Sequence, residues 1–207
     1  MSICILDPGP LTTVQDLGRS GSAADGYRSC GAADSYSARL ANLLVGNAAG
    51  AAVLETTLRG PELRFEIATV FALTGAEAPA QLDGQPVPFF APLFAPAGSV
   101  LKIGMAKEGL RSYLAVWGGI LVPVVRRSRS TDLACHLGGF QGRRLCKGDA
   151  LPVAMPGDSA TAWWKTIHRC KADHPLGDAA ARTGARLWRW EQNRRLPLLR
   201  AVPGPQW

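Results

Sequence analysis

The sequence predicts a mainly β protein with one early helix, built as a closed or nearly closed barrel. Three observations predict it. Apolar residues fall into many runs of four to six, and only one segment has a clean helical period. Twenty-three Gly and fifteen Pro put frequent turns into 207 residues. Hydrophobic residues make up 47% of the chain, enough for a sizeable core, and closing a sheet on itself removes exposed strand edges.

The elements follow in order. Ile3 to Leu6 reads as a short buried strand, ended by Asp7-Pro8-Gly9-Pro10. Residues 12–33 are polar, punctuated by glycine and without a period, which predicts a functional loop. Residues 35–45 form the helix. Asp34 is its expected cap, Tyr36, Leu40, Leu43 and Leu44 its apolar stripe, and Gly46 its left-handed stop. Val53 to Leu58 is a strand that ends before Gly60-Pro61. Leu63, Phe65 and Ile67 alternate with Arg64 and Glu66, the period of a half-buried strand. Val70 to Thr74 is a further run, closed by Gly75. Asp83-Gly84 makes a hairpin turn between 80–82 and 86–87. Val100 to Ile103, Tyr113 to Trp117 and Asp149 to Val153 complete the strands.

Residues 1–156 are therefore one unit. Residues 157–195 are basic and poor in period, and read as an irregular linker. Leu196 to Val202 reads as a strand with a following Pro-Gly-Pro turn, so 196–207 is expected to begin a second, incomplete barrel unit. The net charge of +7 is uneven: residues 1–152 carry +2 and residues 153–207 carry +5. The body lacks the basic face that nucleic-acid binding needs, although the tail mixes tryptophan with arginine. No apolar run reaches the length of a membrane span. Five scattered cysteines without a Cys-x-x-Cys pair, and no signal peptide, point to reduced thiols in the cytoplasm. The cysteines and three histidines form no metal-ligand pattern.

The candidate chemistry lies between glycines near the amino end. Thr12 to Arg19 is followed by Ser29-Cys30-Gly31-Ala32-Ala33-Asp34, then by Ala41-Asn42 and Leu44 to Asn47. Arg19 and Arg129 are candidate clamps for a carboxylate or phosphate, since a guanidinium gives two parallel hydrogen bonds; each would serve equally as a structural tie between loop carbonyls. Asp16 and Asp34 are the candidate catalytic acids, as a base or as partners of an ammonium or amide group. Asp16 has bracing Arg19 as its alternative, and Asp34 has the helix cap. Gln15 and Asn42 can each pair a donor and an acceptor with an amide, and Asn42 can equally be a buried structural amide. Glu55 points either into a site or out to water. Gly138-Gly139-Phe140-Gln141-Gly142-Arg143 lacks a Walker lysine arrangement and reads first as a tight turn. Cys30 has no nearby histidine in sequence, which makes nucleophilic use the weaker reading.

With Leu54-Glu55, Leu73 to Ala76, Gly109 to Gly119, Ser128 to Thr131 and Gly138 to Arg143, these segments resemble a known family. It is allophanate hydrolase subunit 2, or biotin-dependent carboxyltransferase subdomains C and D, whose bacterial members include the C-type subunit of 5-oxoprolinase. The resemblance covers about residues 3–153, and then 200–206. It implies cyclophilin-like β-barrel units and a subunit 1 homologue as partner, with a third subunit in 5-oxoprolinase. That complex opens the lactam 5-oxoproline to glutamate with ATP as co-substrate. The related region of urea carboxylase transfers a carboxyl group from biotin to urea, and another member is a non-catalytic antagonist that binds the subunit 1 homologue. The chain is thus expected to be a subunit of an amidohydrolase complex. It departs from the family in Arg126-Arg127, where Leu-Gly is usual, and in Cys30, where Ser commonly runs straight into Gly. It also stops about a hundred residues short, so it is expected to be inactive alone and to depend on a partner.

Overall fold

The structure, a computed structural model, describes residues 2–154. The expected linker over 157–195 and strand over 196–207 lie outside the described residues. Eleven strands and one α-helix are present among the described residues: β1 (Ser2–Asp7), β2 (Leu11–Gln15), α1 (Ser35–Leu44), β3 (Val53–Thr57), β4 (Glu62–Phe65), β5 (Thr69–Gly75), β6 (Ala80–Leu82), β7 (Gln85–Pro86), β8 (Pro92–Ala95), β9 (Val100–Ile103), β10 (Arg111–Val116) and β11 (Ala150–Pro152). They form two antiparallel sheets, ordered β11-β1-β4-β9-β6-β7 and β2-β3-β10-β5-β8.

The central strands of the second sheet are buried on both faces, and their alternation shows why. Leu54, Phe71, Leu73, Leu114 and Val116 point into a core shared with Ile3, Ile5, Leu63 and Phe65 of the first sheet. The residues between them, Val53, Val70, Ala72, Tyr113 and Ala115, point the other way, against α1. A strand covered on both sides needs no polar face, so β5 is buried along its whole length.

Two expectations need correction. The first is the loop over 12–33, whose beginning is β2. Its residues Thr12, Thr13, Val14 and Gln15 are all buried but mostly polar, so no apolar alternation marks the strand. Cover on its free edge accounts for that burial: the Thr131 N–H donates to the Val14 carbonyl, and the Leu145 N–H to the Thr12 carbonyl, each at 2.9 Å. The second is the stripe of α1. Tyr36 and Leu43 are exposed, Leu44 is half-buried and packs on the core as expected, and the fully buried positions are Ser37, Ala38, Ala41, Asn42 and, just past the helix, Val45. Small residues let the helix backbone come close to the sheet, where the Thr74 hydroxyl donates to the Ser37 carbonyl at 2.8 Å. The ends of the helix match expectation: Asp34 accepts from the Ser37 N–H at 3.0 Å, and Gly46 has φ 77°.

At the edge of the first sheet, Arg143 donates to both carboxylate oxygens of Asp149, at 2.7 and 2.8 Å. That pairing holds the Asp149 carboxyl below the usual carboxylate range against the opposing effect of burial, and the Cys146 N–H adds to it. A depressed folded value means that the contribution is complete above the ordinary carboxylate pKa of about 4, and is lost as pH falls through the lower folded value. The side chains are 33% and 11% exposed, so solvent screening limits the effect to about 1 kcal/mol. Between pH 5 and pH 2 the wild-type chain is expected to lose that much more stability than Arg143→Met, read from urea midpoints. Equal losses in the two proteins would contradict the assignment.

Candidate functional site

Strands β2, β3 and β10 lie side by side at one end of the second sheet, with Thr13 opposite Glu55 and Glu55 opposite Tyr113. These three residues share the face on which α1 packs. Beyond the helix N-terminus that face is open, and a cleft of about 490 Å³ lies over it. Thr13 and Gln15 of β2, Glu55 of β3 and Arg111 of β10 form one side. Arg28 and Cys30 come from the loop after β2, and Asp132 from the segment after Thr131.

Glu55 is buried and tied to the helix entry. It accepts from the Ala33 N–H at 2.7 Å and from the Tyr113 hydroxyl at 2.9 Å, and Arg111 lies 3.8 Å from its other oxygen. Tyr113 in turn accepts from the Asp34 N–H at 2.7 Å. Burial raises the Tyr113 phenol well above its ordinary value, the Asp34 N–H opposes that shift, and the Glu55 charge adds to it. The phenol therefore stays protonated and remains a donor to Glu55.

The floor of the cleft holds polar atoms without partners. Gln15 donates through Nε2 to Thr13 Oγ1 at 3.1 Å and to the Thr131 carbonyl at 3.3 Å, which leaves its buried Oε1 unpaired. Asp132 is 3% exposed; its Oδ1 accepts from the N–H groups of Ala134 at 3.0 Å and Cys135 at 3.2 Å, and its Oδ2 is unpaired. Burial is the largest influence on Asp132 and opposes ionisation. The two N–H groups and the neighbouring Cys135 and Cys30 thiols outweigh it, so the carboxyl lies below its usual range. Behind the cleft, the buried Arg19 donates through Nη2 to the Ser130 carbonyl, while its Nε and Nη1 are unpaired. Unsatisfied buried polar groups are costly, and two of these three residues, Gln15 and Asp132, belong to the lining of the cleft. The Cys30 thiol is pushed up by burial first and then by Asp132, so at neutral pH it is a protonated, poor nucleophile.

The other predicted residues are occupied elsewhere. Asp16 does not brace Arg19. Its Oδ1 accepts from the Gly18 N–H at 2.7 Å and from the Ser128 and Ser130 hydroxyls at 2.7 and 2.6 Å, and its Oδ2 from the Arg129 N–H at 2.5 Å. This carboxylate is a knot between the end of β2 and residues 128–130. Asp34 caps α1, accepting from both the N–H and the hydroxyl of Ser37. Asn42 donates to the Ala51 carbonyl at 2.8 Å and accepts from Asn47 at 3.0 Å, pinning the helix end. Arg129 turns to the Val122 carbonyl at 2.9 Å, outside the cleft. Of the seven predicted residues, Gln15 and Glu55 line the cleft and Arg19 lies against its floor segment. Asp132 was missed in the sequence although it directly follows Thr131; that adjacency was the one available signal.

The glycines of the loop act through close approach. Gly18 has φ 88° and Gly31 φ 98°. A Cβ on Gly18 would stand 2.6 Å from the Cys30 carbonyl oxygen, and one on Gly31 would stand 2.9 Å from the Gly18 nitrogen. Only bare backbones fit there. The contact lets the Arg19 N–H reach the Ser29 carbonyl at 2.7 Å and the Ala32 N–H reach that of Asp16 at 2.8 Å, which carries Cys30 to the cleft.

A family model described as "Carboxyltransferase domain, subdomain A and B" matches residues 25–207. The chain belongs to this carboxyltransferase-domain family. The lettering of the description differs from the C and D expected from the motifs. Among curated relatives, the C-type subunit of the Escherichia coli 5-oxoprolinase is 48% identical over 149 residues, covering 72% of this chain and 48% of the relative. Its Haemophilus influenzae counterpart is 41% identical over 152 residues, covering 73% and 49%. The chain thus spans about half the length of these two relatives. Among solved structures, the K. lactis urea amidolyase superposes with a TM-score of 0.73 at 40% identity, covering 75% of this chain and 9% of that one. Among the described residues no helix is long and apolar enough to cross a membrane, and no cluster of His, Cys, Asp and Glu suits a metal ion.

Proposed function

We propose that this carboxyltransferase-family chain acts like the C-type subunit of 5-oxoprolinase, within a cytoplasmic, ATP-dependent complex that opens 5-oxoproline to glutamate. Its partners in that reading are a subunit 1 homologue and a third subunit, and this chain supplies part of a shared site. The observation that carries the reading is the grouping of Gln15 and Asp132, each with one buried oxygen that has no partner among the described residues, in the lining of a cleft bordered by Arg28 and Arg111. 5-Oxoproline presents the complementary groups: one lactam N–H for an acceptor and one carboxylate for a guanidinium. Asp132, ionised at neutral pH, orients the lactam through its N–H, and Arg111, already fixed beside Glu55, receives the carboxylate. ATP enters as co-substrate of the complex.

A second reading has support from the urea amidolyase structure, whose fold this chain shares. In it the same acceptors take the N–H groups of a urea-like amide, and the carboxyl group arrives on a biotin carried by another domain. One experiment separates the two. The chain is mixed with its subunit 1 and third-subunit partners, and glutamate release from 5-oxoproline with ATP is followed. Release that requires this chain supports the lactamase reading. Carboxylation of urea from carboxybiotin, without glutamate release, supports the second. Tight pairing with subunit 1 and neither turnover overturns both, in favour of an antagonist.

A further inference from the structure

A second cavity, of about 320 Å³, lies away from the cleft and shares none of its lining residues. It is closed on one side by a two-residue hairpin, in which the Val125 N–H donates to the Ser128 carbonyl at 2.8 Å and the Ser128 N–H returns to that of Val125 at 3.2 Å. The two central residues, Arg126 and Arg127, have φ 51° and 65°. A turn of this shape favours Asn-Gly, because a Cβ is crowded in the left-handed region. Two adjacent arginines add mutual repulsion to that strain, so their presence calls for a compensating role.

Arg126 is already engaged. It lies 2.7 Å from Asp25 Oδ2, and its guanidinium carbon is 3.9 Å from the centre of the Tyr27 ring. This contact neutralises Asp25, which also lines the cavity. Arg127 has no hydrogen bond or ion pair among the described residues, and it lines the cavity together with Ser20, Gly21 and Ser22. The lining thus offers one free guanidinium fork, two hydroxyls and an excess positive charge. It offers no large apolar surface for a hydrophobic ligand. A tetrahedral oxyanion uses more donors than a planar carboxylate, which suits a fork and two hydroxyls together. We propose that this cavity binds the phosphate group of a small molecule, with Arg127 as its principal ligand and Ser20 and Ser22 as hydroxyl donors.

The test is calorimetry of the full chain with inorganic phosphate, pyrophosphate and AMP, at low ionic strength and in phosphate-free buffer. The wild-type chain is expected to bind, and the tightest of the three identifies a free anion or a phosphate ester as the source. Arg127→Lys keeps the charge but not the fork, and is expected to weaken binding about tenfold. Arg127→Gly is expected to abolish binding while melting about 2–4 °C higher than wild type, because glycine occupies φ 65° without a Cβ. That pairing separates loss of the ligand from loss of the fold. Binding by Arg127→Gly equal to wild type would overturn the proposal, as would no binding of any of the three anions by wild type.

Discussion

Asp16→Ala is expected to destabilise the chain by about 3 kcal/mol. The carboxylate receives four hydrogen bonds, from Gly18, Ser128, Arg129 and Ser130. Bonds to a charged acceptor are each worth roughly 1.5–3 kcal/mol but do not add fully, because they share one group. The Asp16 N–H also donates to Ser130 Oγ at 3.0 Å, so the serine is held from both sides. Without the carboxylate, the partly buried N–H groups and hydroxyls lose their acceptor, and residues 128–131 lose their shape. Asp16→Asn keeps one oxygen and replaces the other with a donor that meets donors, and it is expected to lose at least half as much stability. Urea unfolding of the three proteins measures the series. A loss below about 1 kcal/mol for Asp16→Ala would mean that the knot is not what fixes this segment. Because Thr131 and Asp132 follow directly, the same variant is also expected to disorder the cleft floor, and its loss of turnover would carry no information about acid–base chemistry.

Asp132→Asn is expected to separate chemistry from stability. The amide oxygen of asparagine can still accept from the Ala134 and Cys135 N–H groups, so the turn over 132–137 is retained and the stability change stays below about 1 kcal/mol. Oδ2, the oxygen without a partner among the described residues, becomes an NH₂ group, which repels a substrate N–H. In the reconstituted complex, turnover of 5-oxoproline is expected to fall about a hundredfold, the scale for replacing a buried acceptor with a mismatched donor. The pH profile gives a second readout. The wild-type carboxyl lies below its ordinary range, so its ionised form persists at mildly acidic pH, and the activity that depends on it falls only as pH drops below about 4. Asp132→Asn removes that acid limb. Full turnover in Asp132→Asn would remove Asp132 from the site and leave Gln15 as the acceptor.

Much of the fold was legible, for local reasons. The helix boundaries follow from Asp34 and Gly46, and the hairpin over Asp83-Gly84 from two residues suited to positive φ, observed at 49° and 78°. Strands β4 and β9 show alternation because one face is exposed. Strand β2 was hidden because it is a buried edge with polar residues, covered by segments more than a hundred residues away in the chain. The site was legible in part. Gln15 and Glu55 line the cleft, but nothing near Asp16 in sequence shows that its partners are residues 128–130. Asp132 looks like an ordinary loop acid until the fold buries it.

The sequence by itself determined the mainly β class, the helix with its caps, and the family, because each rests on neighbouring residues or on ordered motifs. The tertiary structure alone decided which polar side chains are already satisfied. Hydrogen-bond capacity is finite, and contacts across the fold commit Asp16, Asn42 and Arg129 to structural partners while leaving Gln15, Arg19 and Asp132 with atoms unpaired.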